Sequence, residues 1–340
     1  MKILLIMDPG IAVPPVYYGG IERVIYLLAE EYHALGHQVT LLAGPGSYCS
    51  GKTISFGSNT TKHSKIAAYN NILFVWSYLR KNRKNFDLIH NFGRLIYLLP
   101  VINQKAYKIM SYQRPVTARG IKIINRLPNR NLLFTACSNY CVSTGNVAGK
   151  WHTVYNCIDF DLYHLNNAIK NSDPLIFLGR LDRIKGAHTA IAVAKATNSQ
   201  LIIAGNIPDT DDNYQYFKNE LEPLFDGKQI VYVGALDDVN KNEYLGKAKA
   251  LLFPIEWDEP FGIVMIEAMA CGTPVIAFNR GSVPEVVNEG ITGFITTDVR
   301  QMIYAVNNLG IISRQACRQQ AMQRFNIKKT AQEYLSLTGQ

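Results

Sequence analysis

The chemistry available to this chain gathers around two carboxylates eight positions apart, in the run Glu259-Pro-Phe-Gly-Ile-Val-Met-Ile-Glu267. Glu259 lies in a turn that carries Pro260 and Gly262, and Glu267 lies one to two turns inside an apolar helix. Pro260 has a fixed φ suited to a first helical turn, and Gly262 lets the backbone come close to a ligand. The N–H groups of Phe261, Gly262 and Ile263 then stand as unpaired donors at a helix start, where the dipole also favours an anion such as phosphate. Glu259 and Glu267 are placed to accept hydrogen bonds from hydroxyl groups. A phosphorylated sugar offers both the anion and the hydroxyls.

A second block, Gly179-Arg180-Leu-Asp-Arg-Ile-Lys185-Gly186, follows an apolar strand and opens a helix. Arg180 and Lys185 therefore sit at the carboxyl end of a strand. Two cations and several N–H donors suffice to neutralise a diphosphate, and they speed its departure because a leaving diphosphate gains charge. Gly19-Gly20-Ile-Glu-Arg lies between the first strand and its helix, where adjacent glycines also allow close approach to a phosphate. Gly281-Ser282-Val-Pro-Glu285 is expected either to touch a ligand or to cap a short helix over Pro284–Asn288 through Ser282.

Other motifs carry less. Gly46-Ser-Tyr-Cys-Ser-Gly51-Lys52-Thr53 has the letters of a phosphate-binding loop, but that motif requires a helix directly after Lys-Thr. Turn- and strand-like residues from Ile54 to Thr61 follow instead. No dinucleotide fingerprint of three spaced glycines follows any strand, which argues against nicotinamide chemistry. His90 ends a strand and is expected at a cleft edge in a structural role. Phe74, Trp76 and Tyr78 are read as one core helix face, with a membrane-touching face as the alternative. The six cysteines show no paired framework or zinc spacing, so no metal is expected and a reducing cytoplasm fits. The sequon at Asn59-Thr60-Thr61 is then irrelevant.

These groups need strand ends and helix starts to hold them, and the chain supplies both. Apolar runs read as strands at Lys2–Met7, Gln38–Ala43, Asp87–His90, Lys108–Ser111, Leu132–Ala136 and His152–Tyr155. A second set lies at Leu175–Leu178, Gln200–Ala204, Gln229–Val233, Ala250–Phe253, Pro274–Ala277 and Gly293–Thr296. Amphipathic helices lie between them, among them Ile21–Leu35, Ala187–Thr197, Tyr214–Leu224 and Asn240–Lys247. This alternation implies parallel α/β sheets with right-handed crossovers, and the restart at Leu175 implies two doubly wound Rossmann-like domains facing across a cleft. The expected domains are residues 1–165 and 166–325. A helix over 326–340 packs back on the first domain.

At 340 residues, two domains of about 150 residues each are the expectation. A hydrophobic content of 48% fills two cores and excludes a disordered chain. No apolar run reaches the roughly 20 residues of a membrane span. The opening Met1–Met7 run stops at Asp8 without a cleavage site, so it reads as a buried strand rather than a signal peptide. The net charge of +9 is uneven. Residues 1–160 carry 18 Lys and Arg against 6 Asp and Glu, or +12, and residues 161–340 carry 17 against 20, or −3. The cations cluster at Arg80-Lys-Asn-Arg-Lys84 and from Arg114 to Arg130. They suit an anionic membrane surface or a lipid-phosphate acceptor, and no motif for nucleic acid accompanies them.

Taken in order, these motifs resemble the family 4 glycosyltransferases, retaining enzymes of the GT-B fold. The resemblance runs from Gly19-Gly-Ile-Glu-Arg23 through Tyr155-Asn-Cys-Ile-Asp159 and Gly179-Arg-Leu181 with Lys185-Gly186. It ends at Glu259–Glu267 with the following Ala-Met-Ala-Cys-Gly-Thr-Pro-Val. It implies a UDP- or GDP-sugar as donor and a glycan, lipid or small molecule as acceptor, with no cofactor and no metal. Arg180 and Lys185 would bind the donor diphosphate, and Glu259 its sugar hydroxyls beside the Phe261, Gly262 and Ile263 backbone. Glu267 would bind the ribose, and Gly19 and Gly20 would approach the phosphate. It further implies attack from the face of the departing phosphate, without an enzymic nucleophile. Many members carry a histidine after the fourth strand of the first domain, where this chain has Tyr112-Gln113-Arg114-Pro115. A nucleotide-sugar-binding protein without activity, a sugar-nucleotide epimerase and an ATPase using Lys52 are the competing readings.

Overall fold

A computed structural model describes residues 1–16, 19–60, 64–209 and 211–339. Thr61 of the sequon, and Gln340 of the terminal segment expected to be helical, lie outside the described residues. The chain forms two compact units, Met1–Asn156 with Ile327–Gln340, and Cys157–Asn326.

Among the described residues the first unit holds seven strands: β1 Lys2–Ile6, β2 Gln38–Ala43, β3 Lys52–Ser55, β4 Leu88–Asn91, β5 Tyr107–Tyr112, β6 Leu132–Ala136 and β7 Trp151–Thr153. They are all parallel, in the order β3-β2-β1-β4-β5-β6-β7. Buried on both faces, strands such as Ile3-Leu-Leu-Ile6 are apolar without alternation. The chain steps one way along the sheet from β1 to β3 and the other way afterwards. Right-handed crossovers then put helix Gly20–Ala34 on one face, and helices Lys65–Asn82, Leu95–Val101 and Ala118–Ile124 on the other. The terminal helix Ile327–Ser336 packs against Gly20–Ala34.

Among the described residues the second unit holds six parallel strands: β8 Leu175–Leu178, β9 Leu201–Ala204, β10 Ile230–Tyr232, β11 Ala250–Phe253, β12 Val275–Phe278 and β13 Gly293–Thr296. Their order is β10-β9-β8-β11-β12-β13. The core gathers Leu175, Phe177, Ile191, Ile203, Leu252 and Met302 between sheet and helices. In both units the strand order reverses at the centre, between β1 and β4 and between β8 and β11, where loops splay apart and leave room for a ligand.

Lys52 and Thr53 open the strand β3, so the helix that a phosphate-binding loop requires does not follow them, as the residues after Thr53 imply. Two sequence expectations need correction. Phe74, Trp76 and Tyr78 do not form one core face. Residues two apart on a helix point about 200° apart, and the inward line is Asn71, Val75 and Leu79. Phe74 is exposed and stacks on Phe56, whereas Trp76 Nε1 donates to the Ile96 carbonyl at 2.8 Å. The stretch expected as one helix over Tyr214–Leu224 begins at Asp211 and changes winding twice, at Phe217 and Glu222.

Candidate functional site

The site residues of the second unit sit on the loops that leave β8 and β11, the two central strands, and on the helix that follows the second loop. After β8 come Arg180 and the turn Arg183–Lys185. After β11 comes the loop 254–262 that carries Glu259. The two loops are joined through backbone, because Glu256 N–H donates to the Ile184 carbonyl at 2.8 Å. Gly186 lies so close to Pro254 that a Cβ would collide with its carbonyl oxygen. Across this junction Lys185 Nζ lies 2.6 Å from Glu259 Oε2. Trp257 Nε1 donates to the same oxygen at 2.7 Å, and the Lys185 ammonium sits 5.3 Å from the Trp257 ring centre. Arg180 is exposed and pairs with Asp182 at 2.5 Å.

The loop after β12 braces the same turn. Ser282 N–H donates to the Glu259 carbonyl at 2.9 Å, and Ser282 Oγ donates to the Phe261 carbonyl at 3.0 Å. The expected cap by Ser282 is therefore not made. Its backbone is already helical, and its hydroxyl is spent on the neighbouring loop.

Gly262 caps helix Ile263–Ala270 with φ of 79°. Among the described residues the N–H groups of Gly262 and Ile263 meet no acceptor, which leaves two donors at the helix start. One face of this helix carries Glu267 into a buried place. Tyr163 OH donates to Glu267 Oε1 at 2.9 Å, and Lys241 Nζ lies 2.5 Å from the same oxygen and 2.8 Å from Asp238. Lys241 is delivered by helix Asp238–Lys247, which starts where Asp237 accepts from Asn240 N–H. Tyr163 and Lys241 were missed in the sequence, since they stand 104 and 26 positions from Glu267 with no local signal linking them.

In the first unit, Gly19 caps and Gly20 opens helix Gly20–Ala34, and the Gly19 carbonyl accepts from Arg23 N–H at 3.1 Å. Glu22 one turn on is buried, which raises its pKa although Arg114 and Arg23 oppose the shift. His90 is not at an open edge. β4 runs on to Asn91, and the rings of Phe92 and Tyr334 close over His90 with centres 4.3 and 4.4 Å away. Its Nε2 meets Ser111 Oγ at 2.7 Å, and burial pushes its pKa down to about 3, so it is a neutral core residue. Gln113, after β5, has both side-chain polar atoms shielded from water and, among the described residues, without a partner.

The assembled residues of the second unit can receive an anion at cations and N–H groups, with a carboxylate beside it. The family model for Glycosyltransferase Family 4 matches residues 18–162, and that for Glycosyl transferases group 1 matches residues 162–316. A 41.2 kDa uncharacterized protein of the cps region of Klebsiella pneumoniae is 26% identical over 94% of this chain and 96% of its own length. The sucrose-phosphate synthase of Thermosynechococcus elongatus superposes with a TM-score of 0.80 at 21% identity, over 99% of this chain and 98% of its own. HepE of Anabaena, solved with UDP-glucose, superposes with a TM-score of 0.73 at 18% identity over 99% of both chains. The structures share the fold, the two family models between them span the chain from residue 18 to residue 316, and the chain belongs to the family 4 glycosyltransferases.

Proposed function

We propose that this glycosyltransferase moves a hexose-type sugar, with retention at the anomeric carbon, from a UDP- or GDP-sugar to a glycan, lipid-linked or small-molecule acceptor. The observation that carries the reading is the Lys185–Glu259 pair beside the open helix start of Gly262 and Ile263. HepE, which shares the fold, was solved with UDP-glucose, and this favours a nucleotide sugar.

In this reading Lys185, Arg180 and the backbone of Phe261–Ile263 receive the donor diphosphate. Charge grows on the leaving phosphate as the glycosidic bond lengthens, and fixed cations and N–H groups stabilise that charge without a resident metal. Glu259 holds donor hydroxyls and Glu267 the ribose. The departing phosphate oxygen accepts the acceptor proton from the same face, which preserves configuration without an enzymic nucleophile. Gly19 and Gly20 serve as substrate-binding backbone in the first unit, which is assigned the acceptor, and the second unit is assigned the donor.

A lipid-linked acceptor would place the chain on the cytoplasmic face of a membrane. The first unit is suited to that contact. Ile66, Tyr69, Leu73 and Phe74 stand exposed on helix Lys65–Asn82, which runs into Arg80, Lys81, Arg83 and Lys84. Ile123 and Leu127 stand exposed among Arg119, Lys122 and Arg126.

Lys185→Ala and Glu259→Ala are each expected to lower turnover by at least about a hundredfold in a donor-acceptor screen, as loss of a transition-state contact does. Near-normal turnover in both variants would remove the assignment. The second reading, binding without transfer, is favoured by Gln113, which stands where the family resemblance implies a histidine. It predicts nucleotide-sugar binding with neither donor hydrolysis nor transfer across the same screen.

A further inference from the structure

Glu259 and Glu267 are held alike by unrelated partners. Glu259 Oε2 receives Lys185 Nζ at 2.6 Å and Trp257 Nε1 at 2.7 Å. Glu267 Oε1 receives Lys241 Nζ at 2.5 Å and Tyr163 OH at 2.9 Å. Each carboxylate thus has one oxygen taken by an ammonium together with a neutral aromatic donor. The opposite oxygens, Glu259 Oε1 and Glu267 Oε2, take no hydrogen bond among the described residues. A carboxylate accepts on both oxygens, so each keeps one whole oxygen for a ligand.

The two kinds of donor respond differently to an anion. A diphosphate at the Arg180–Lys185 loop attracts the Lys185 ammonium and draws it off Glu259. It exerts no such pull on the neutral indole of Trp257, which shares the loop with Glu259 and lies two residues before it. The indole N–H therefore stays on Oε2 when the lysine turns. Its ring also faces the ammonium at 5.3 Å, a cation–ring attraction that limits how far Lys185 moves. Tyr163 has the matching place at Glu267, and its own carbonyl is fixed by Arg318 Nη1 at 2.6 Å.

We propose that Trp257 and Tyr163 are positioning residues, which keep Glu259 Oε1 and Glu267 Oε2 turned to the hydroxyls of a nucleoside diphosphate sugar. The inference rests on the donor site proposed above. Trp257 serves the sugar end, and Tyr163 serves the ribose.

Trp257→Phe and Tyr163→Phe each keep a ring and remove one donor. Calorimetric titration with UDP, GDP, UDP-glucose and GDP-mannose, beside donor turnover, separates their roles. Trp257→Phe is expected to bind the free diphosphate like the parent and the sugar-bearing nucleotide about tenfold more weakly, the scale of one hydrogen bond to a charged group. Tyr163→Phe is expected to lose about tenfold on both, because both carry ribose. Trp257→His, which returns an N–H, recovers part of the loss. Parent-like affinities and turnover in both Phe variants, while Glu259→Ala and Glu267→Ala fail, overturn the positioning roles and leave the donor site standing. An equal loss on free and sugar-bearing nucleotide in Trp257→Phe, with a lowered Tm, also overturns the role of Trp257. A parent chain that binds none of the four nucleotides overturns the donor site and this inference together.

Discussion

His90 packs against Phe92 and Tyr334, meets Ser111, and stays neutral in the folded chain until about pH 3. In the unfolded chain its imidazole takes a proton near pH 6.5. Between those values the unfolded state binds more protons, so stability is full above about pH 6.5 and falls as the pH drops, by about 1.4 kcal/mol per unit once the unfolded imidazole is charged. Urea unfolding is expected to show about 2 kcal/mol more loss from pH 7 to pH 5 in the parent than in His90→Phe, whose ring fits the same aromatic contacts. An unchanged pH slope in the variant would show that His90 titrates normally. At this scale the sequence was partly legible. Lys185 and Glu259 stand in recognisable blocks, and the structure brings them to 2.6 Å. Their orienting partners were not legible. Tyr163 and Lys241 reach Glu267 only once distant segments have folded together, and Trp257 is one of several groups its turn can present.

The loops of the second unit depend on close backbone approach, and Gly281 shows how closely. Its φ of 54° is left-handed, and a Cβ would collide with the Glu259 carbonyl oxygen and the backbone that joins Asp258 to Glu259. Gly281→Ala is expected to cost about 1–3 kcal/mol in thermal or urea unfolding, and to lower donor turnover because Glu259 must shift. Gly310, with open space around its Cβ position, is the control, and Gly310→Ala is expected to change neither measurement appreciably. Most of the strands other than β3 were legible because parallel strands buried on both faces are unbroken apolar runs. β3 escaped notice. It is a short edge strand, exposed at Lys52 and Ser55, so its residues carry neither an apolar run nor an alternation. Helix Lys65–Asn82 was misread for a related reason. Its outward side is apolar as well, so composition alone did not show which line of residues faces the core.

Over the whole molecule, charge is divided as sharply as the fold. From Leu88 to Ile158 the chain carries nine Lys and Arg residues and not one Asp or Glu. No helix among the described residues is long and apolar enough to cross a membrane. The contact proposed for the first unit is a peripheral one. Sedimentation with vesicles containing phosphatidylglycerol is expected to carry the protein down at low salt and to release it at high salt, since screening shortens the reach of exposed charges to about 10 Å at 0.1 M. Equal partition to neutral and anionic vesicles would defeat the proposal, and Arg119→Glu with Lys122→Glu should weaken sedimentation without altering nucleotide affinity. The terminal helix adds a constraint of a different kind. The second unit is one unbroken stretch, Cys157–Asn326, whereas the first unit needs Ile327–Ser336 to cover His90 with Tyr334. On a ribosome, the second unit has all its residues before the first does. The first unit must wait, with the side chains around His90 uncovered, until helix Ile327–Ser336 leaves the exit tunnel.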